Sequence, residues 1–300
     1  MRPDRQVAIE MQSRTMKHWD TVAVVGVGLI GGSIGLALRR RGLVRRVVGI
    51  GRNETRLRKA AELGAITEAT ESIAAGVSGA NLVVICTPVE RIVGDALSAA
   101  EAARPDTLIT DVGSTKLQIV TTLEDRMRAS NERGVFFVGS HPMAGSERSG
   151  VEYSQADLFE DRVTIVTPTG MTLPEHGRAI TDFWESLGSQ VLVRSPEDHD
   201  RAVAEVSHLP HLVASALAAA IAPDDRMLAG GGWRDTTRVA SGDVELWRQI
   251  LSDNQRYVLK SLDNFEKVLA TFRRALENAD QNALVELLTT GKQNRDAVGS

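Results

Sequence analysis

The chain has 300 residues, 42% hydrophobic and 25% charged, with a net charge of −4 and a pI near 5.9. That length suits one large domain or two ordinary ones, and the near-balanced charge gives no electrostatic footprint for nucleic acid. No run approaches 18 uninterrupted apolar residues, so no membrane span is expected, and a single cysteine, Cys86, excludes an intrachain disulfide and fits a reducing cytoplasm.

Residues 1–20 are polar, carry Arg, Lys and Asp, and lack an apolar h-region. They read as a loosely docked or disordered extension and not as a signal peptide. The next stretch, TVAVVGVGLIGGSIGLALRRRG, organises the chain. Four β-prone residues from Val22 to Val25 run into Gly26-Val27-Gly28-Leu29-Ile30-Gly31, and a helical apolar pattern follows (Ile30, Ile34, Leu36, Leu38). This is strand, tight turn, helix. Gly26 lets the chain turn, Gly28 admits a pyrophosphate close to the backbone, and Gly31 lets the helix pack on the strand. Leu29 and Ile30 open the helix, whose N-terminus offers N–H groups to the phosphates.

Further strand signals recur at 47–50, 82–86, 108–111, 135–139, 163–167 and 191–193, separated by helical patterns at 55–63, 91–103, 116–129 and 175–187. Such alternation predicts an α/β fold of the Rossmann type, with a doubly wound, mainly parallel sheet. The pattern stops near Arg194. From Pro196 onward the chain reads helical, with a long apolar segment at 202–221 and amphipathic ones near 243–273 and 276–292. The expected division is a dinucleotide-binding domain over 21–194 and an all-helical domain over 195–300. The run from Ala214 to Ile221 is apolar on every side, which points to a homodimer through the helical domain.

A dinucleotide fold that takes NAD places an acidic residue after the second strand, on the ribose 2′-hydroxyl. Here the strand ends Gly49-Ile50-Gly51-Arg52-Asn53, with no carboxylate before Glu54. Arg52 and Asn53 could hold a 2′-phosphate, which favours NADP over NAD; the plain alternative for Arg52 is a solvated loop residue. Polar residues then cluster where later strands end: Thr87-Pro88, the segment Asp111 to Lys116, and Ser140 to Glu147. In an open α/β sheet these loops face one crevice. His141 is the natural acid–base group there, and Ser114 could orient it by a hydrogen bond.

The segments GVGLIGGSIG, DVGSTK, SHPMAGSE, SHLPH (207–211) and GGGWRDTTRVASGDVELW (230–247), in this order, resemble the prephenate dehydrogenase family, which includes arogenate and cyclohexadienyl dehydrogenases. The resemblance covers residues 21–292. It implies a Rossmann domain followed by a helical dimerisation domain, and oxidative decarboxylation of prephenate to 4-hydroxyphenylpyruvate in tyrosine biosynthesis, or of arogenate to tyrosine directly. By resemblance, His141 takes the proton of the ring hydroxyl, and Ser114 holds His141 near the nicotinamide. Arg238 binds a substrate carboxylate with Asp235 and Trp247 as supports, His211 contacts substrate, Glu147 lies beside the catalytic loop, and Thr87 and Pro88 border the cofactor. Arg234 reads as a surface charge.

His208 and His211 share a helix face, but no HExxH pattern accompanies them, so no metal is expected. His208 reads as a core residue, and His199 as a helix-start residue that could touch the site. The β-hydroxyacid dehydrogenases share the architecture but need a catalytic lysine, and 200–222 contains none. A non-catalytic NADP sensor would have no need of His141, Ser114 and Arg238 together.

Overall fold

The computed structural model describes residues 19–130, 134–146 and 148–299. The extension expected over 1–20 lies outside these residues apart from Trp19 and Asp20, which already belong to the first strand, and Glu147 also lies outside them. Trp19 is buried, with its ring edge-on to Phe183.

The first unit alternates strand and helix: β1 (Trp19–Val25), α1 (Leu29–Arg40), β2 (Val44–Ile50), α2 (Glu54–Glu62), β3 (Glu68–Thr70), α3 (Ile73–Val77), β4 (Leu82–Ile85), α4 (Val89–Ala102), β5 (Leu108–Asp111), α5 (Leu117–Ser130) and β6 (Phe136–Phe137). The six strands form a parallel sheet in the order β3-β2-β1-β4-β5-β6. Apolar runs such as LVVI are buried on both faces, as a parallel sheet covered by helices on both sides requires. Along β1 the side chains alternate between two cores. Val22 and Val24 pack with Ile34 and Leu38 of α1, while Ala23 and Val25 face Ile92 and Ala96 of α4. β3 has no counterpart in the sequence reading: it is three residues, Glu-Ala-Thr, at an exposed edge with no apolar run to mark it.

The strand expected over 135–139 is broken in two. Val138 N–H still bonds Ile109 O across the sheet (3.0 Å), but Ser140 N–H turns to the Asp111 carboxylate (3.2 Å). The chain then starts a second sheet, β7 (Gly139–Pro142), β8 (Val163–Thr167) and β9 (Gln190–Val193), with β7 antiparallel to β8 and β8 parallel to β9. A Cβ on Gly139 would lie 2.5 Å from Thr167 Oγ1 and 2.9 Å from Val120 Cγ2, so the bend passes only because residue 139 is glycine. His141 therefore lies in a strand and not in the loop that the sequence suggested. The helix α6 (Pro174–Ser186) joins β8 to β9 and buries Phe183 and Trp184 beneath both sheets.

After Val193 every element is helical. α7 (Pro196–Val203) runs through a π-turn (Ala204–His208) into α8 (Leu209–Ala220); α9 (Gly231–Thr237), α10 (Val244–Asp253), α11 (Gln255–Glu277) and α12 (Gln281–Ala297) follow. The single helix expected over 243–273 breaks at Asn254, whose amide donates to Asp200 O (2.7 Å). By length and composition the continuous helix Pro196–Ala220 is long and apolar enough to cross a membrane. The count of uninterrupted apolar residues missed it because charged residues interleave its first half. That half buries His199, Asp200 and His208 inside the fold. The outer helices expose apolar side chains, among them Leu217, Leu259, Leu269, Leu276 and Leu288, and α12 buries none of its residues.

Candidate active site at the domain interface

The glycine turn has the geometry its residue types allow. Gly26 sits at φ +95°, and a Cβ there would lie 2.8 Å from the Cys86 carbonyl oxygen. A Cβ on Gly31 would fall 2.3 Å from Gly26 O, so α1 approaches β1 this closely only through glycine. Gly28 differs: a Cβ there would meet nothing within 4 Å, which leaves its backbone open to a ligand. No side chain caps α1, and no acidic residue lies in its first turn, so the positive end of the helix faces outward unneutralised. This cradle fits the pyrophosphate of a dinucleotide.

A cleft of about 1550 Å³ runs from this turn to the helical unit. It is bordered by Leu29 and Ile30 of α1, Arg52 and Asn53 after β2, Thr87 and Pro88 after β4, Ser114 after β5, His141 of β7, and Arg238 and Trp247. At the β2 end, Asn53 caps α2, its side-chain oxygen accepting Arg56 N–H (3.0 Å), and Glu54 turns back to Arg58 (3.0 Å). Arg56 also borders the cleft, as does Glu71 one strand further out, and neither was foreseen. Arg56 was invisible because its position depends on how α2 starts. The Thr87 hydroxyl is buried with no hydrogen-bond partner among the described residues.

The centre is built on Asp111, at the end of β5. Its fully buried carboxylate accepts Gly113 N–H (2.8 Å) and pairs with the ammonium of Lys116, which is also fully buried. Burial pushes Asp111 upward from the usual carboxylate range, and the Lys116 charge opposes this. Ser140 donates its hydroxyl to Asp111 O (2.6 Å) and accepts the Trp184 indole N–H (2.9 Å). β7 is thereby clamped one residue before His141.

His141 is 8% exposed, and its Nδ1 lies 2.8 Å from Nε2 of the wholly buried His199. His199 Nδ1 lies 2.7 Å from Asp200 Oδ1. The Asp200 carboxylate also accepts the N–H groups of Lys116 (2.8 Å) and Leu117 (2.9 Å), at the start of α5. Burial, with the His199 ring and the Lys116 charge adding to it, holds His141 well below the ordinary imidazole range. Burial and Lys116 likewise push His199 down, to about 2. Both rings are neutral at physiological pH. Ser114, expected to hold His141, makes no hydrogen bond to it; His199 stands in that place. Nothing in Glu197-Asp198-His199-Asp200 marks a helix start as buried, so the sequence could not show this.

The two histidines of SHLPH are both buried, His208 at 1% exposure. His208 is hydrogen-bonded in the interior, as expected of a core residue, and also borders the cleft. Its Nδ1 lies 3.1 Å from Asn254 Nδ2, its Nε2 is buried without a partner, and burial lowers its pKa to about 4. His211 stacks flat on Trp247, with centroids 3.5 Å apart and planes 10° apart, behind the cleft lining. Among the described residues no group of three or more His, Cys, Asp or Glu is placed to hold a metal. Arg238 follows α9 at the cleft mouth. Asp235 is exposed, off the cleft, and forms no ion pair with Arg238, so the support expected from it is not seen; Arg234 is exposed and donates to Ala229 O (3.2 Å).

The chain matches the family model described as "Prephenate dehydrogenase, nucleotide-binding domain" over residues 34–193 and the one described as "Prephenate dehydrogenase, dimerization domain" over residues 195–290. It is 34% identical to the prephenate dehydrogenase of Bacillus subtilis over 286 residues, covering 93% of this chain and 76% of that one. The crystal structure of prephenate dehydrogenase from Aquifex aeolicus in complex with hydroxyphenyl propionate and NAD+ superposes with a TM-score of 0.85 at 36% identity, covering 93% of this chain and 98% of that one. Synechocystis arogenate dehydrogenase gives 0.77 at 32% identity, covering 93% and 99%. The chain belongs to the prephenate dehydrogenase family of nicotinamide-dependent oxidoreductases.

Proposed function

We propose that the protein oxidatively decarboxylates prephenate to 4-hydroxyphenylpyruvate and CO2, as a step of tyrosine biosynthesis. The observation that carries this reading is a neutral, nearly buried His141 that lines one cleft together with an open glycine turn and Arg238. Nicotinamide, when bound, supplies the hydride acceptor. His141 accepts the proton of the ring hydroxyl as the carbinol carbon loses its hydride, which leaves a carbonyl opposite the carboxylate. CO2 then departs, its bonding pair makes the ring aromatic, and the oxygen takes back a proton from His141. Arg238 holds a carboxylate of the substrate by its planar fork. His208 adds a donor, because Asn254 donates to its Nδ1 and so leaves the proton on Nε2.

Arogenate is the second reading of the substrate, supported by the likeness to the Synechocystis enzyme. For the cofactor, Arg52 and Arg56 with no carboxylate directly after β2 favour NADP over NAD. The glycine turn (Gly26, Gly28, Gly31) with Leu29 and Ile30 would take the pyrophosphate, while Thr87, Pro88 and Ser114 would lie toward the nicotinamide. His211 and Trp247 back the substrate end as a stacked pair. A homodimer through the helical domain, taken as 195–300 against 21–194, is supported by the exposed leucines of α8, α11 and α12 and by the dimerization model that matches there. Steady-state assays crossing prephenate and arogenate with NADP and NAD test this. Turnover highest with prephenate and NADP is expected, and no reduction of either cofactor with either acid overturns the reading.

A further inference from the structure

We propose that His199 and Asp200 form a relay with His141 that fixes which ring nitrogen of His141 carries its proton, which makes both of them positioning residues. The inference rests on the reaction proposed above.

Each link forces the next. Both Asp200 oxygens already accept backbone N–H groups, from Lys116 at 2.8 Å and Leu117 at 2.9 Å, so the carboxylate offers only acceptor capacity. At 2.7 Å, His199 Nδ1 must therefore donate to Asp200. A neutral imidazole has a single N–H, so His199 Nε2 is left with a lone pair. At 2.8 Å from that lone pair, His141 Nδ1 must donate in turn. His141 Nε2 then keeps its lone pair, forms no hydrogen bond among the described residues, and belongs to a ring that borders the cleft. That is the tautomer a general base needs. The opposite one would present an N–H to a hydroxyl whose proton has to be removed.

Bulk and capping do not explain this arrangement. Ser195 already caps α7 by accepting Asp198 N–H (3.0 Å), so the helix start needs nothing from His199. The relay also crosses between the two units, with His141 on β7 and its partners on α7. The packing of the two units against each other is thus what sets the tautomer of the base.

The test uses His199→Leu and His199→Gln, with His141→Asn as reference. Leucine fills the space and accepts nothing; the glutamine oxygen can reach the place of His199 Nε2 and accept from His141 Nδ1. The turnover of His199→Leu should fall at least about tenfold, toward the roughly 10²–10⁴-fold that general-base catalysis is worth. Its KM for the dienyl acid and its affinity for NADP should change little, and His199→Gln should recover most of the lost turnover. The acid limb of the pH–rate profile should move in His199→Leu, because one of the groups facing His141 is gone; the others are Asp200 on the same helix, His208, and Asp111 with Lys116 at the end of β5. In the wild-type protein, ¹⁵N spectra of labelled histidine should show His141 protonated at Nδ1.

Finding His141 protonated at Nε2 overturns the relay without any variant. So does equal impairment of the Leu and Gln variants, or a folded His199→Leu with wild-type turnover and an unmoved limb. An active His141→Asn would instead sink the reaction itself, whereas an inactive His141→Asn beside an active His199→Leu sinks only the relay.

Discussion

Asp200 accepts the backbone N–H of Lys116 at 2.8 Å, so the first helix of one unit caps the start of a helix in the other. Leu117 donates to the same carboxylate. A side-chain cap is worth about 0.5–2 kcal/mol, and this one also holds the buried His199. Asp200→Ala should therefore cost more than a cap alone, about 2–4 kcal/mol once the orphaned imidazole is included. Urea denaturation of the purified variant measures it. A loss below half a kilocalorie would show that the junction is held by packing and not by this carboxylate.

The pH profile follows from the site of His141. The neutral ring is the active form. Burial first, then His199 and Lys116, hold its pKa well below the usual value of 6.5, so protonation and loss of activity come only at lower pH. kcat/KM should stay level from neutrality down past pH 6.5 and fall beyond it. A surface histidine would be half protonated at that pH. A limb centred at 6.5 or above would contradict the burial of His141.

Cofactor choice should depend on two arginines. Arg52→Ala and Arg56→Ala should each weaken NADP, by roughly ten- to 150-fold if each makes one charged hydrogen bond to the 2′-phosphate, and leave NAD nearly unchanged. Titration of both cofactors, followed by intrinsic fluorescence, distinguishes the outcomes. If NAD suffers equally, these side chains shape the loop and read no phosphate.

Arg238→Gln separates substrate binding from chemistry. Losing the charged fork should raise the KM for the dienyl acid by roughly ten- to 150-fold with a smaller change in kcat. Cofactor affinity should hold, because the residue belongs to the helical unit and not to the glycine turn. A fall in NADP affinity at constant KM would place Arg238 on the wrong ligand.

The alternation of β-prone runs and helical patterns was enough to read the Rossmann sheet and the helical unit after it, because parallel strands buried on both faces leave nearly continuous apolar runs. Glu68–Thr70 escaped because an exposed edge strand needs no such run. The break at Gly139 escaped too: the glycine is visible, but the Thr167 and Val120 side chains that require it come from elsewhere in the chain. The site divides in the same way. Residues in strand-end loops, such as Thr87, Ser114 and Arg52, could be assigned to one crevice from topology alone. His199 could not, because its importance arises only when α7 docks against β7 and α5. Arg56 and His208 depend likewise on helix phase, which composition does not set.

His199 and His208 stand nine residues apart. In a regular helix nine steps of about 100° make two and a half turns, which would put the two rings on opposite sides. Here one meets His141 and the other borders the cleft, because the wider turn at Ala204–His208 takes up the difference. The helix thus carries a surplus residue that the wider turn absorbs. Exposed Glu205 and Val206 are free to change identity, and eight steps of about 100° would set the two histidines about 80° apart, so a one-residue deletion there would return a regular helix with both rings still near one side.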